Sequence, residues 1–216
     1  MDIKDKTKAL IDSLPSHVTL VAVSKTKSVE EISQAYEAGQ RIFGENKIQE
    51  MASKREELPK DIAWHMIGHV QSNKVKYMAH FVDLIHGVDS FKLLKEIQKQ
   101  AIKHDRTIRC LIQIRIAEEE TKFGLPEEEL EALLKAAEDL PNVQIVGLMG
   151  MATFTDNQDQ ITSEFNKLKD LYDKVNSASA SMNTLSMGMS GDYSIAIECG
   201  SNMIRVGSKI FGERNY

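Results

Sequence analysis

The stretch LVAVSKTKSVEEI, residues 20–32, decides the fold. Leu20, Val21, Ala22 and Val23 form a continuous apolar run, the pattern of a buried strand. Ser28 followed by Glu31 has capping-box spacing, which predicts a helix beginning within a few residues. Between the two stand Ser24, Lys25, Thr26 and Lys27, with no Gly or Pro to break the chain. The lysine therefore sits at a strand-to-helix turn, and the question is what needs an amine there.

The same step recurs along the chain. Further strand-like runs are RIFG from Arg41, IAWHMIG from Ile62, FVDLIHGV from Phe81, IRCLIQIRI from Ile108, VQIVGLMGMA from Val143, TLSMGMS from Thr184 and MIRVGSKIFG from Met203, which with VTLVAVS from Val18 makes about eight. Helical periods lie between them. In PEEELEALLKAAEDLP, Leu130, Leu133, Leu134, Ala137 and Leu140 share a face, and Pro126 with three glutamates occupies the first turn, where fixed φ and negative charge suit a helix N-terminus. Phe165, Leu168, Leu171, Tyr172 and Val175 make a second stripe, and Leu94, Ile97 and Ala101 a third. NSASASMN from Asn176 reads as a short polar loop, and residues 1–17 as an N-terminal helical segment.

Alternating strand and helix implies a parallel sheet with helical crossovers, an α/β architecture. About eight repeats in one domain favour a closed (β/α)8 TIM barrel over an open doubly wound sheet, with 216 residues near the low end for that fold. The first strand lacks a GxGxxG, which takes weight off a dinucleotide-binding fold. Hydrophobic residues make up 42% and charged ones 27%, enough for one sizeable core, so residues 1–216 are expected to form a single domain. Net charge is -5 with Lys and Arg scattered among Asp and Glu, which disfavours nucleic acid as a partner. The N-terminus has no signal-peptide-like apolar stretch, and no run approaches the ~20 apolar residues a membrane helix needs. A soluble, cytoplasmic protein is expected. Cys110 and Cys199, without neighbouring ligands, read as reduced core residues.

In such barrels chemistry gathers at the C-terminal ends of the strands. There the sequence puts Lys25; Glu45, Asn46 and Lys47; His65 and Gly68; His86 and Asp89; Arg115; Thr153 and Thr155; Ser186, Ser190 and Asp192; and Arg205, Gly207 and Ser208. A lysine leaving an apolar strand is partly desolvated, which favours its neutral amine and a Schiff base. Gly188, Ser190, Gly191, Gly207 and Ser208 fall in the last two loops, where backbone N–H groups and hydroxyls commonly hold phosphate. A phosphorylated carbonyl compound suits both features, and pyridoxal 5'-phosphate has both handles. Taken singly each residue has a plainer reading: Lys25 a solvated charge, Arg205 an ion-pair partner, and Ser190, Gly191 and Asp192 a turn. His65 and His69 have the spacing of a helical metal pair, but Gly68 and a strand-like context favour a structural pair.

In combination, LVAVSKTKS, FGENKIQE, WHMIGHVQSNK, GLMGMATFTD and LSMGMSGDYSIAIECGSNMIRVGSKIFGER resemble, in order and over about residues 18–214, the signatures of the YggS/PROSC family of pyridoxal phosphate homeostasis proteins. The resemblance implies a barrel similar to the N-terminal domain of alanine racemase, with pyridoxal phosphate on Lys25. It implies Arg205 beside the pyridine nitrogen, Ser190 with the backbone of Gly207 and Ser208 around the phosphate, and Asn46 as a polar neighbour. The chain departs from many relatives in its shorter N-terminal stretch and in Lys47, where they have Tyr, so Lys47 is a second candidate amine.

A guanidinium cannot accept a proton, so an arginine beside the pyridine nitrogen disfavours the pyridinium that makes this cofactor a strong electron sink. Racemisation tolerates it but needs acid/base groups on both faces of the substrate; in alanine racemase a tyrosine comes from a second, β-rich domain across a dimer, for which this chain has no room. The expectation is a monomeric carrier that holds pyridoxal phosphate as a Lys25 imine, releases it by transimination and serves pyridoxal phosphate-dependent apoenzymes. A weak amino-acid racemase or lyase is the alternative, with Tyr36, Tyr193 or Cys199 as the opposing group. A barrel aldolase or isomerase using Lys25 on a phosphorylated sugar is the third, and it predicts a colourless protein.

Overall fold

Eight parallel strands close into one barrel in chain order: β1 (Thr19–Val23), β2 (Ile42–Glu45), β3 (Ala63–Met66), β4 (Leu84–Val88), β5 (Ile108–Gln113), β6 (Val143–Met149), β7 (Thr184–Ser186) and β8 (Met203–Val206). The computed structural model describes residues 2–118, 123–178 and 182–213. All eight apolar runs read from the sequence are strands. Closure is made by β1 and β8, with Val21 level with Arg205 and Ala22 with Val206.

Around the barrel run α1 (Ile3–Ser13), α2 (Val29–Glu37), α3 (Ile48–Glu57), α4 (Phe91–Lys103), α5 (Leu130–Ala137), α6 (Gln158–Ala178), α7 (Tyr193–Glu198) and α8 (Ser208–Phe211). The expected capping box at α2 is present: the Glu31 N–H donates to Ser28 Oγ (3.2 Å) and the Ser28 N–H to Glu31 Oε2 (2.8 Å). α1 packs against α2 and α8, the helices that follow the two closing strands. The β3–β4 crossover departs from the strand-helix rule, being a 3-10 helix over Ser72–Tyr77.

Two other expectations need correction. The glutamates after Pro126 form a 3-10 turn, Glu127–Glu129, before α5 begins at Leu130. The NSASASMN segment is not all loop: α6 runs on through Ala178, since Ser and Ala continue a long helix at little cost once Phe165, Leu168, Leu171 and Val175 are buried. Residues 179–181 lie outside the described part.

The core has two layers. The larger one fills the space between strands and helices and includes Trp64, Phe43, Phe165, Ile97 and the buried Cys110. Cys199 is only half-buried. Inside the barrel a smaller cluster holds Val21, Leu84, Leu111, Val146, Met149 and Met203. The rest of the interior is polar: His65, His86, Gln113, Ser186 and Arg205 are all buried. Gly147 shows how tightly β6 and β7 pack, because a Cβ there would fall 1.7 Å from the Thr184 carbonyl oxygen. Among the described residues no helix is long and apolar enough to cross a membrane.

Candidate functional site

A cavity of about 490 Å³ opens at the C-terminal end of the barrel, a size that suits a small cofactor. Lys25 reaches it from the loop after β1, Thr153 and Thr155 from the loop after β6, Ser190 and Asp192 from the loop after β7, and Arg205, Gly207 and Ser208 from the end of β8. Five of the six residues singled out from the sequence thus converge on one cavity. Asn46 does not line it; its backbone packs instead against Gly68. A surface groove of about 680 Å³ beside α6 is larger, but it is lined by helix residues such as Lys167 and Asp170 and receives no strand end.

The turn that carries Lys25 is held from below by a buried ion cluster. Lys54 of α3 donates to the Ser24 carbonyl (2.7 Å), Glu45 Oε1 (2.8 Å) and Glu50 Oε1 (2.7 Å). Ser24 Oγ donates to Glu45 Oε1 (2.6 Å), and the Thr26 N–H donates to Glu50 Oε1 (2.6 Å). Thr26 has φ +64°, a left-handed conformation that costs a non-glycine residue on the order of 1 kcal/mol and that the Glu50 carboxylate helps to hold. Residues on both sides of Lys25 are pinned. Burial pushes the Glu45 carboxyl up in spite of Lys54. Burial also works to raise Glu50, but Lys54 and the Thr26 N–H outweigh it and leave that carboxyl below its ordinary value.

The other walls are fixed in the same way. Glu164 of α6 is buried and accepts from the Thr153 N–H (2.7 Å) and the Thr153 hydroxyl (2.7 Å), tying the β6 loop to its own crossover helix. The Gly207 N–H donates to Ser190 Oγ (3.1 Å), which links the last two loops. Arg205 lies 3% exposed in the floor, its Nη1 on Ser186 Oγ (2.6 Å) and its Nη2 on the Gly150 carbonyl (3.0 Å). Burial pulls its guanidinium down to about 10, partly opposed by Asp192, so it stays charged at neutral pH.

Some expectations about the strand ends change. The second amine in the cavity is Lys27, 3.2 Å from Glu31 Oε1 and from the Phe211 carbonyl, whereas Lys47 stands exposed before α3 and does not line the cavity. His65 and His86 point into the barrel rather than to its mouth, with His86 Nε2 3.0 Å from His65 Nδ1. His65 and His69 are not a pair: His69 faces outward, 3.5 Å from Asp89 and stacked on Phe123 at 4.3 Å. β3 ends at Met66, so His69 lies beyond the strand and does not share its inward alternation. Among the described residues no cluster of His, Cys, Asp or Glu could hold a metal ion.

The alanine racemase N-terminal domain family matches residues 2–215. Pyridoxal phosphate homeostasis proteins of Aquifex aeolicus and Vibrio alginolyticus are 40% and 41% identical to the chain, over 91% and 94% of it and 87% and 89% of their own lengths. The chain belongs to the pyridoxal phosphate homeostasis protein family. PipY of Synechococcus elongatus, a solved relative at 34% identity, superposes with TM-score 0.93 without pyridoxal phosphate and 0.90 with it bound, covering 98% of this chain and all of that one. An alanine racemase of Clostridium difficile matches at TM-score 0.84 and 14% identity, covering the whole chain but 57% of the racemase, and shares the fold. The family's barrel is therefore that of the alanine racemase N-terminal domain, as the signature runs imply.

Sequence reasoning missed Lys54, Glu50, Glu164 and Lys27 as parts of the site. Glu50 and Lys54 have i,i+4 spacing, ordinarily a surface pair. Only the three-dimensional packing of α3 under the β1 turn shows that this one is buried.

Proposed function

We propose that the chain binds pyridoxal 5'-phosphate in the cavity at the barrel mouth and serves to keep and hand on this cofactor, without robust catalytic turnover. The observation that carries the reading is the convergence of Lys25, Arg205, Ser190, Gly207 and Ser208 on one cavity. The donor set fits the cofactor's groups: an amine for the aldehyde, a buried cation for the ring edge, and hydroxyl and N–H groups for a phosphate. When bound, this cofactor supplies an electrophilic aldehyde that captures amines. Lys25 holds that aldehyde as an imine and is displaced when an incoming amine takes its place. Ser190, Gly207 and Ser208 take the phosphate, and Arg205 donates to the ring nitrogen. The relatives' shared name and the PipY structure with pyridoxal phosphate bound support this reading.

A racemase or lyase would need a hydroxyl or thiol facing Lys25 across the cavity. The Tyr36 hydroxyl donates to Asp61 on the outside, the Tyr193 ring lies against Lys209, and the Cys199 thiol is on the Thr162 carbonyl side of α7; none of the three lines the cavity. The reading takes the protein to be a cytoplasmic monomer with apoenzymes that use pyridoxal phosphate as the recipients.

The test is a visible absorbance spectrum of the purified protein with added pyridoxal phosphate, before and after borohydride reduction, with peptide mapping of the adduct. A yellow protein whose adduct maps to Lys25 is expected. A protein that stays colourless overturns the reading and favours a sugar phosphate. Robust turnover of any amino acid by the pure protein overturns the carrier role.

A further inference from the structure

Arg205 does not end at the cavity floor; behind it a hydrogen-bonded chain crosses the barrel. Arg205 Nη1 is 2.6 Å from Ser186 Oγ, Ser186 Oγ is 3.3 Å from His86 Nδ1, His86 Nε2 is 3.0 Å from His65 Nδ1, and His65 Nε2 is 3.4 Å from Asp83 Oδ2. Ser186, His86 and His65 are 0%, 0% and 2% exposed, so the links among them are shielded from water, while Asp83 at the far end is partly exposed. Asp83 stands at the N-terminal end of the barrel, also 3.2 Å from Arg109 Nη1.

With both imidazoles neutral, the chain has one consistent direction. A guanidinium can only donate, so Ser186 Oγ accepts from Arg205 and its own hydrogen is left for His86 Nδ1. His86, accepting at Nδ1, carries its hydrogen on Nε2 and donates to His65 Nδ1. His65 in turn carries its hydrogen on Nε2 and donates to Asp83, which as a carboxylate can only accept. Burial holds both imidazoles below the ordinary histidine value, for His65 against the pull of Asp83, which favours the neutral forms this direction needs. The carboxylate at the far end is held in its charged form by the His65 hydrogen bond.

We propose that Asp83, His65, His86 and Ser186 are positioning residues: they fix Ser186 as an acceptor, lock the Arg205 guanidinium in orientation as a donor, and leave the barrel interior with no proton to give the cofactor ring. Every hydrogen in the chain points away from the cavity. This rests on the placement of Arg205 at the ring nitrogen. It adds a reason, built into five strands and loops of the barrel, why the bound cofactor stays a weak electron sink. Asp192 compensates the Arg205 charge at the cavity end and Arg109 compensates Asp83 at the other, so the chain itself needs no ionised histidine.

The experiment uses the full-length protein loaded with ring-15N pyridoxal phosphate, reading the 15N resonance and the cofactor Kd. In the unaltered protein the resonance is expected in the unprotonated range. Ser186→Ala and His86→Phe are each expected to raise Kd about tenfold, as loss of an aligned hydrogen bond to a charged group implies, and to move the 15N resonance toward the protonated range. Asp83→Asn, which keeps an acceptor for His65, is expected to stay within about twofold. If Arg205→Gln moves the resonance while Ser186→Ala and His86→Phe leave resonance and Kd unchanged, the chain does nothing for Arg205 and the proposal is wrong. If Arg205→Gln leaves the resonance unmoved, the placement of Arg205 at the ring fails first. Ser186→Ala removes one oxygen and stands in where His86→Phe does not fold.

Discussion

Lys25 is held in place by its neighbours. The Ser24 carbonyl and hydroxyl and the Thr26 N–H are all engaged by the Lys54–Glu45–Glu50 cluster, so the backbone that carries Lys25 is fixed at the cavity. Lys54→Met would leave Glu45 buried without its cation, which typically costs 3–5 kcal/mol. Urea unfolding is expected to show a loss of about 3–5 kcal/mol for Lys54→Met and recovery of most of it in Lys54→Met with Glu45→Gln. The same scale separates the three lysines named above. Lys47→Ala and Lys27→Ala are expected to retain a borohydride-trapped adduct and Lys25→Ala to lose it; an adduct surviving in Lys25→Ala would move the covalent role to another amine.

Among the elements, β6 and β7 approach closely at Gly147. Gly147→Ala puts a methyl group into the Thr184 backbone, which can yield only by separating the two strands, and a loss of about 3 kcal/mol in chemical denaturation is expected. A mutant as stable as the parent would show that the strands have slack. On the far side of the same loop, Glu164→Gln is expected to weaken cofactor binding several-fold with little change in unfolding midpoint, because it loosens Thr153 at the mouth. At this scale the sequence is most informative. Strands buried on both faces read as apolar runs, clearest in β1, whereas Arg109 in β5 and Gln144 in β6 interrupt theirs. The interior-facing His65 and His86 were less legible, since alternation says which residues share a face but not whether a polar side chain points to the mouth or along the axis. The end of α6 was hidden by Ser and Asn, which suit loops and long helices alike, and the α3 cluster by an i,i+4 pair that surface helices share.

For the molecule as a whole, the neutral interior histidines set an acid limit. The pKa values of His65 and His86 are depressed in the folded state, so below the ordinary value of about 6.5 the unfolded chain binds protons that the folded one does not. Stability is then fully present above about pH 6.5 and falls as the pH drops below it. Glu45, raised by burial, works in the opposite sense and blunts the loss at lower pH. Thermal unfolding between pH 8 and pH 5 is expected to show this fall, and His86→Phe to reduce it. Cofactor adds stability by mass action: at about 100 times Kd it contributes about 2.7 kcal/mol, which for a chain of this size raises Tm by roughly 5–11 °C.

The closing seam of the barrel has one more consequence, for the birth of the protein. Lys25 follows the first strand and Arg205 sits on the last, and the two strands lie side by side. A nascent chain emerging from the ribosome exposes Lys25 long before Arg205 and the glycine-serine turn beside it exist. Until the final strand docks there is an amine but no cavity around it, so on the proposed reading half-made chains hold the cofactor only as weakly as any free lysine does. On that reading the capacity to hold it arrives only when β8 closes the barrel against β1.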